Sequence, residues 1–369
     1  MLSRKKFIAQ SGMLAAGIAM RPSLAFANNF ETKRPPLAYR KFTSEAVEAT
    51  IVGMKKKITD PELAWLFENC FPNTLDTTVE FEMIESKPDT YVITGDIDAM
   101  WLRDSTAQVW PYLPFIKNDA KLRELIEGVI NRQKKCIILD PYANAFYKDV
   151  NKISEWKSDL TKMQPGIHER KWEIDSLCYP IRLAYRYWKT SGDIKVFDAD
   201  WKQCIKLTLQ TFKEQQRKHG DGPYSFQRTT AWATDGVPLA GYGYPVKPVG
   251  LICSTFRPSD DATLFSFLVP SNFFAVVSLK QSAEILNAVY KDAAMANECL
   301  SLAKEVEKAL QQYAIIHHQQ YGKIYAFEVN GFGSFNLMDD ANVPSLLSLP
   351  YLNAVKSNDP IYVNTRKYL

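Results

Sequence analysis

Residues 262–315 read ATLFSFLVPSNFFAVVSLKQSAEILNAVYKDAAMANECLSLAKEVEKALQQYAI, and this stretch decides the fold. Apolar residues recur in it at intervals of three and four positions, which is the spacing that places them on one buried face of an α-helix. One such series is Ala283, Leu286 and Tyr290, and a second is Leu302, Val306 and Leu310. The stretch therefore predicts two long helices in succession.

The same period dominates the rest of the chain. Ile174 to Trp188 predicts a further helix, in which Pro180 must occupy the first turn or cause a kink. Loops rich in glycine, proline and aromatic residues separate the helical segments, and neither a series of alternating strands nor a βαβ rhythm is present. These features predict one large, mainly α domain over residues 40–369. Two more series at helical spacing are Leu122, Leu125, Ile126, Val129 and Ile205, Leu209, Phe212.

Composition narrows the possible functions. The chain has 369 residues, of which 46% are hydrophobic and 12% aromatic. The aromatic excess is compatible with a sugar-binding cleft and equally with a large aromatic core. Four of the 45 basic residues lie in the first 27 positions, which hold no acid, so the remainder carries 41 residues of each sign. A nucleic-acid partner is therefore not indicated.

The N-terminus has the three parts of an export signal. Arg4-Lys5-Lys6 is followed by a mostly apolar run from Phe7 to Met20, and Ala25-Phe26-Ala27 fits a cleavage site. We therefore predict a signal peptide at residues 1–27, a linker at 28–39 and a periplasmic or secreted product without a membrane anchor. The alternative is a cytosolic protein with an apolar N-terminal helix.

Four segments concentrate polar residues among aromatics and glycines. The first, residues 94–105, carries Asp96, Asp98 and Asp104 together with Trp101 and Arg103. Carboxylates and arginine can hold sugar hydroxyls while tryptophan offers a stacking face. The segment predicts a loop that runs into a helix beginning near Ala99. The alternative to a sugar site is that Asp98 is only the cap of this helix and that Arg103 forms an internal ion pair with an aspartate.

The second and third segments are residues 168–177 and 250–262. The second places Glu169 and Glu173 four positions apart, which also suits an ordinary helix N-terminus. The third ends in Asp260 and Asp261, which are either helix caps or carboxyls placed for general-acid work after an Arg-Pro turn.

The fourth segment, residues 336–347, predicts acids that open an apolar helix. The sequence has no nucleotide-binding glycine motif, no HExxH zinc motif and no GxSxG elbow. Hydrolysis by carboxyl groups alone, as in glycosidases, is the chemistry that remains.

Together these segments resemble glycoside hydrolase family 125, the metal-independent exo-α-1,6-mannosidases. The resemblance runs from about Tyr39 to the end of the chain. It is carried by GDIDAMWLRDS (95–105), YANAF (142–146), ERKWEIDSLCYP (169–180), FRPSDDA (256–262) and LMDDANVPSLLSLPYL (337–352).

The resemblance implies an (α/α)6 toroid that releases terminal α-1,6-linked mannose from glycans with inversion, as a monomer and with neither metal nor cofactor. It places the general acid in FRPSDDA, at Asp260 by analogy, with Asp261 as the second choice. The implied sugar-binding residues are Asp96, Asp98, Trp101, Arg103 and Asp104, then Tyr142, Asn144, Trp172, Glu173 and Arg257, then Asp339, Asp340 and Asn342.

One departure from the family bears on activity. The family's catalytic base is a glutamate that follows a segment like Tyr362–Arg366, and nothing here matches it. About nine or ten helices can be counted, so we expect a toroid incomplete at the C-terminus. Two alternatives follow: an inactive mannose-binding remnant, or an α-helical terpene cyclase, which would need acids that hold Mg²⁺.

Overall fold

A computed structural model describes residues 30–369, so the predicted signal peptide lies outside the described residues. Helices dominate this part of the chain. Two predictions from periodicity are confirmed, since residues 262–315 contain α7 and α8 and the 174–188 series lies in α5. The nine α-helices of residues 30–369 are α1 (Glu45–Lys57), α2 (Pro61–Cys70), α3 (Leu102–Val109), α4 (Ala120–Leu139), α5 (Ile174–Ser191), α6 (Ala199–Gln215), α7 (Val269–Ile285), α8 (Ala293–Tyr313) and α9 (Pro360–Tyr368).

Side-chain caps fix where several helices begin. The Ser44 hydroxyl accepts from the Val47 N–H ahead of α1, and the Asp60 carboxylate accepts from two N–H groups at the start of α2. The Asp292 carboxylate accepts from the Met295 N–H at the start of α8. Each cap satisfies N–H groups that have no partner inside the helix, which stabilises that terminus by about 1 kcal/mol.

The strands in the described part are short, and none exceeds six residues. They form two hairpins, β1–β2 and β7–β8, and two three-stranded antiparallel sheets, ordered β3-β4-β5 and β10-β9-β6. The ten strands of residues 30–369 are β1 (Val79–Ile84), β2 (Lys87–Val92), β3 (Met100–Trp101), β4 (Ala145–Phe146), β5 (Ile167–Glu169), β6 (Phe267–Leu268), β7 (Ile315–His318), β8 (Gly322–Tyr325), β9 (Glu328–Val329) and β10 (Phe335–Asn336).

The helices pack pairwise around a continuous apolar core. Helix α7 packs on both α8 and α5, while α4 packs on α6 and against the β1–β2 hairpin. Gly128 makes the contact between α4 and β2 possible, because a Cβ there would lie 2.3 Å from Thr90 Oγ1. Among residues 30–369, no helix combines the length and hydropathy needed to cross a bilayer.

Two predicted helix starts are wrong. Helix α3 begins at Leu102, not near Ala99, because Met100 and Trp101 pair with β4 instead. For Pro180, which lies well past the first turn of α5, the predicted kink is the alternative that stays open. The acids at 337–347 open no helix, because the Asp339 carboxylate accepts from the N–H groups of Leu346 and Leu347 and closes a turn.

Residues 30–39, the part of the predicted linker that the structure describes, form an N-terminal arm that packs on the rest of the fold. The Arg34 guanidinium is buried, lies 2.7 Å from Asp76 Oδ2 and also pairs with Glu48 of α1. The Trp65 indole donates to the carbonyl of Glu31 at 2.7 Å. Residues 30–39 therefore belong to the folded body.

Candidate active site

The small sheet β3-β4-β5 gathers three of the motif segments. Trp101 pairs with Ala145, and Ala145 pairs with Glu169, so the three strands lie side by side. Arg103 follows β3 and Asn144 precedes β4, which places both side chains beside the residues that follow β5. The sheet thus joins parts of the chain separated by about 24 to 68 residues.

Arg103 is the centre of a buried ionic cluster. Its Nη1 lies 2.6 Å from Glu173 Oε2 and 3.2 Å from Asp175 Oδ2. Its Nη2 lies 3.9 Å from Asp260 Oδ1, and its Nε lies 3.6 Å from Asp104 Oδ2. One guanidinium therefore orients four carboxyl groups, an arrangement that suits a planar, always-charged side chain.

Asp260 is the most exposed carboxyl of this cluster. Its side chain is 40% exposed, whereas those of Glu173 and Asp175 are fully buried. Asn144 Nδ2 donates to its Oδ1 at 3.4 Å, and Lys171 Nζ donates to its backbone carbonyl at 3.1 Å. Its backbone adopts φ +66°, a left-handed conformation that costs free energy in a residue other than glycine and is concentrated at functional sites.

The pKa values of the clustered carboxyls are raised. Burial raises the pKa of Asp175 to about 6, against the attraction of Arg103, and it raises the pKa of Glu173 well above its usual range. Burial and then repulsion by Glu169 raise the pKa of Asp260. The raised pKa values favour the protonated forms of these carboxyls, and a general acid needs its protonated form.

A second group of ion pairs lies next to the turn that carries Asp260. Lys171 Nζ lies 2.7 Å from Asp235 Oδ1 and 3.4 Å from Glu169 Oε1. Arg228 Nη2 lies 3.0 Å from the same Glu169 oxygen and 2.7 Å from Asp159 Oδ2. These pairs hold β5 and the loop after α6 against the turn that carries Asp260.

The structure brings five of the predicted site residues together: Arg103, Asp104, Asn144, Glu173 and Asp260. The predicted wall residue Trp172 is fully buried and donates to the Cys253 carbonyl at 2.7 Å, so it is a core residue that no sugar can reach. Tyr142 is also engaged elsewhere, with its hydroxyl 2.7 Å from Glu214 Oε2 and its ring stacked on Tyr224.

The predicted site residues of the first motif other than Arg103 and Asp104 lie either on the surface or in a small apolar cluster. Asp96 is exposed, and Asp98 pairs with Lys152 at 2.7 Å on the surface, so neither contacts the Arg103 cluster in the structure. Trp101 is 7% exposed and packs edge-on against His168, with ring centres 5.1 Å apart. Its buried indole N–H has no hydrogen-bond partner among the described residues.

The remaining predicted site residues lie in loops. Arg257 Nε donates to Glu328 Oε1 at 2.7 Å, and the Asp261 carbonyl accepts from the Arg257 N–H. The Asp261 carboxyl has no hydrogen bond to another described residue. Asp340 accepts from Asn342 within their own turn, and Asp339 closes the turn described above, so the hydrogen bonds of these two carboxylates stay within the segment.

Sequence reasoning omitted several residues of the site. Asp175 and Lys171 lie inside the quoted ERKWEIDSLCYP motif, so the motif already contained the signal that could have found them, and Glu169 was noted only for its spacing from Glu173. Asp235 and Arg228 lie in a loop without any recognisable motif, and only the fold reveals their role. Among residues 30–369, no group of three or more His, Cys, Asp or Glu side chains is arranged to hold a metal ion.

Comparison with known proteins identifies the family. Residues 60–369 match the family described as metal-independent alpha-mannosidase (GH125). The chain is also 42% identical over 354 residues to the Meiotically up-regulated gene 157 protein of Schizosaccharomyces pombe, covering 91% of this chain and 69% of that protein. The chain therefore belongs to glycoside hydrolase family 125, a family of α-mannosidases.

A solved structure agrees with the fold. It is a Streptococcus pneumoniae enzyme, described among metal-independent alpha mannosidases and bound to α-1,6-mannobiose in a non-productive complex. It superposes with a TM-score of 0.84 at 40% identity, over 89% of this chain and 77% of that one. The predicted fold class, a mainly α toroid of the (α/α)6 type, is confirmed, while its incompleteness stays a prediction.

Proposed function

We propose that this glycosidase releases α-1,6-linked mannose from the non-reducing end of a glycan with inversion, and that Asp260 is its general acid. The observation that carries the proposal is the position of Asp260. Asp260 and the fully buried Glu173 both lie against Arg103, and Asp260 is the accessible one of the two. The complex of the Streptococcus pneumoniae relative with α-1,6-mannobiose supports the linkage.

The proposed reaction uses a proton carried by Asp260. Asp260 donates it to the glycosidic oxygen as the bond from that oxygen to C1 breaks. Water adds to C1 from the opposite face and gives its proton to a second carboxylate. Glu169 and Glu173 are each held by an arginine, so we assign this second role to neither.

Proton NMR of the purified protein with α-1,6- or α-1,2-mannobiose in EDTA tests the proposal. We expect mannose from the α-1,6 substrate only, appearing first as the β-anomer because inversion changes the configuration at C1. First appearance of the α-anomer would contradict inversion. No release by protein shown to be folded by circular dichroism would instead favour an inactive mannose-binding protein.

We further propose that the enzyme acts outside the cytoplasm as a monomer. The export signal at residues 1–27 supports the location. N-terminal sequencing of protein from the periplasm or medium should begin at Asn28. An intact Met1 in cytosolic protein would contradict export, and light scattering of the purified enzyme would test the monomer.

A further inference from the structure

Trp232 differs from the other tryptophans of the chain. All eight lie within residues 30–369, and Trp232 alone is mostly exposed, at 76%. Isolated exposed apolar side chains are common on protein surfaces, so exposure alone indicates nothing. However, the Trp232 backbone is fixed on both sides: its N–H donates to Thr230 Oγ1 at 3.1 Å, and its carbonyl accepts from the Asp235 N–H at 3.1 Å. The loop therefore holds the indole outward.

The indole borders a cavity of about 510 Å³. Tyr244 and Leu264, each 46% exposed, add apolar surface, while Arg257, whose Nε is engaged by Glu328, adds the donors of its other guanidinium nitrogens. Ligand sites commonly combine this size with an apolar lining and a few polar groups. A sugar suits such a lining, because its C–H faces stack on aromatic rings and its hydroxyls accept from arginine.

The cavity is joined to the turn that carries the candidate acid. The Ala262 N–H, two residues after Asp260, donates to the Thr234 carbonyl at 2.7 Å. Lys171 Nζ donates both to Asp235 Oδ1 at 2.7 Å and to the Asp260 carbonyl at 3.1 Å. The loop that bears Trp232 and the turn that bears Asp260 are thus positioned by the same ammonium group.

We propose that this cavity binds the leaving-group side of the substrate, with Trp232 stacking on a sugar further along the chain than the one directly beyond the bond to be cleaved. This inference rests on the proposed function. A general acid lies beside the glycosidic oxygen, so the sugars that depart must leave from its accessible side. The Glu173 side of Asp260 is closed by the buried ionic cluster, whereas Ala262, two residues after Asp260, lines the cavity. The substrate class is therefore an α-mannooligosaccharide longer than a disaccharide.

Substrate length provides the test. Values of kcat and KM are measured for α-1,6-linked mannobiose, mannotriose and mannotetraose with the wild type and Trp232→Ala. We expect kcat/KM of the wild type to rise with length. In the variant we expect kcat/KM on the tetrasaccharide to fall about tenfold, mainly through a higher KM, so that the variant no longer prefers longer substrates. Tyr39→Ala removes an aromatic ring that is 78% exposed on the N-terminal arm, and it should retain the wild-type profile.

Two results would overturn the inference: a wild type indifferent to length, or an equal loss by Trp232→Ala on every substrate, which would indicate a structural role. Calorimetry separates this inference from the proposed reaction. Asp260→Asn protein should bind mannotetraose about tenfold more tightly than the Asp260→Asn, Trp232→Ala double variant. Equal affinities would refute stacking of a sugar on Trp232 even if the enzyme is active. A tenfold difference in affinity would support it even if the wild type releases no mannose.

Discussion

The Asn144 amide donates a hydrogen bond of 3.4 Å to the Asp260 carboxyl, although 116 residues separate the two in the chain. The same side chain accepts from the Lys171 N–H at 3.0 Å, and its amide also lies 3.2 Å from Glu169 Oε2. Asn144 is fully buried. It therefore fixes the position of the acid relative to β5.

Replacement of Asn144 by leucine should move the pH profile of activity. The amide donor favours the ionised form of Asp260, so its removal raises the pKa of that carboxyl further. A general acid acts in its protonated form, and we therefore expect the alkaline limb of kcat/KM to move to higher pH. Rates on α-1,6-mannobiose between about pH 4 and 9 check this. An unmoved alkaline limb in folded protein would contradict the role of Asn144.

The variants Asp260→Asn and Asp261→Asn should differ strongly. Loss of a general acid lowers kcat by about 10²–10⁴-fold, so we expect that loss for Asp260→Asn and little change for Asp261→Asn. An aryl mannoside whose phenol leaves without protonation should restore much of the Asp260→Asn rate. The reverse order of the two variants would identify Asp261 as the acid.

The buried Asp175 should make stability depend on pH. Burial raises its pKa to about 6, above the value in the unfolded chain, so the folded state binds its proton more tightly. This contribution to stability is present at low pH and is lost as the pH rises through about 4 to 6. In Asp175→Asn this pH dependence should disappear. Urea unfolding gives the free energy of unfolding of the wild type and the variant across this pH range. If the two plots of free energy against pH run parallel, the contribution assigned to Asp175 is refuted.

Two helical glycines should respond in opposite ways to alanine. A Cβ at Gly128 would lie 2.3 Å from Thr90 Oγ1, while one at Gly53 would meet nothing within 4 Å. We expect Gly128→Ala to lower the free energy of unfolding by about 1–3 kcal/mol and Gly53→Ala to raise it by about 0.5–1 kcal/mol. Thermal unfolding measures both. Equal shifts would show that the close packing of α4 on β2 is relaxed in solution.

The sequence allowed the helices to be predicted where their apolar faces are regular, as in α7 and α8. It did not reveal the short strands, because a two-residue strand such as β3 has no period of its own and forms only when β4 lies beside it. For the same reason the start of α3 was placed too early.

The site was only partly predictable. Arg103, Asn144 and Asp260 lie in motifs, and the motifs indicated which residue types matter. Trp172 was misassigned because a tryptophan among charges suggests a sugar platform, whereas tertiary packing turned its ring into the core. Trp232 has no motif around it, and its significance depends on exposure and on its neighbours in space.

The two bonds of Lys171 have a consequence for how this enzyme could diversify. Because one ammonium group holds both Asp235 and the carbonyl of Asp260, residues 233–235 cannot shift without disturbing the reaction centre. Leu239 and Ala240, at the far end of the same loop, are exposed. Insertions there could accommodate new branches of a glycan while the catalytic geometry is inherited unchanged.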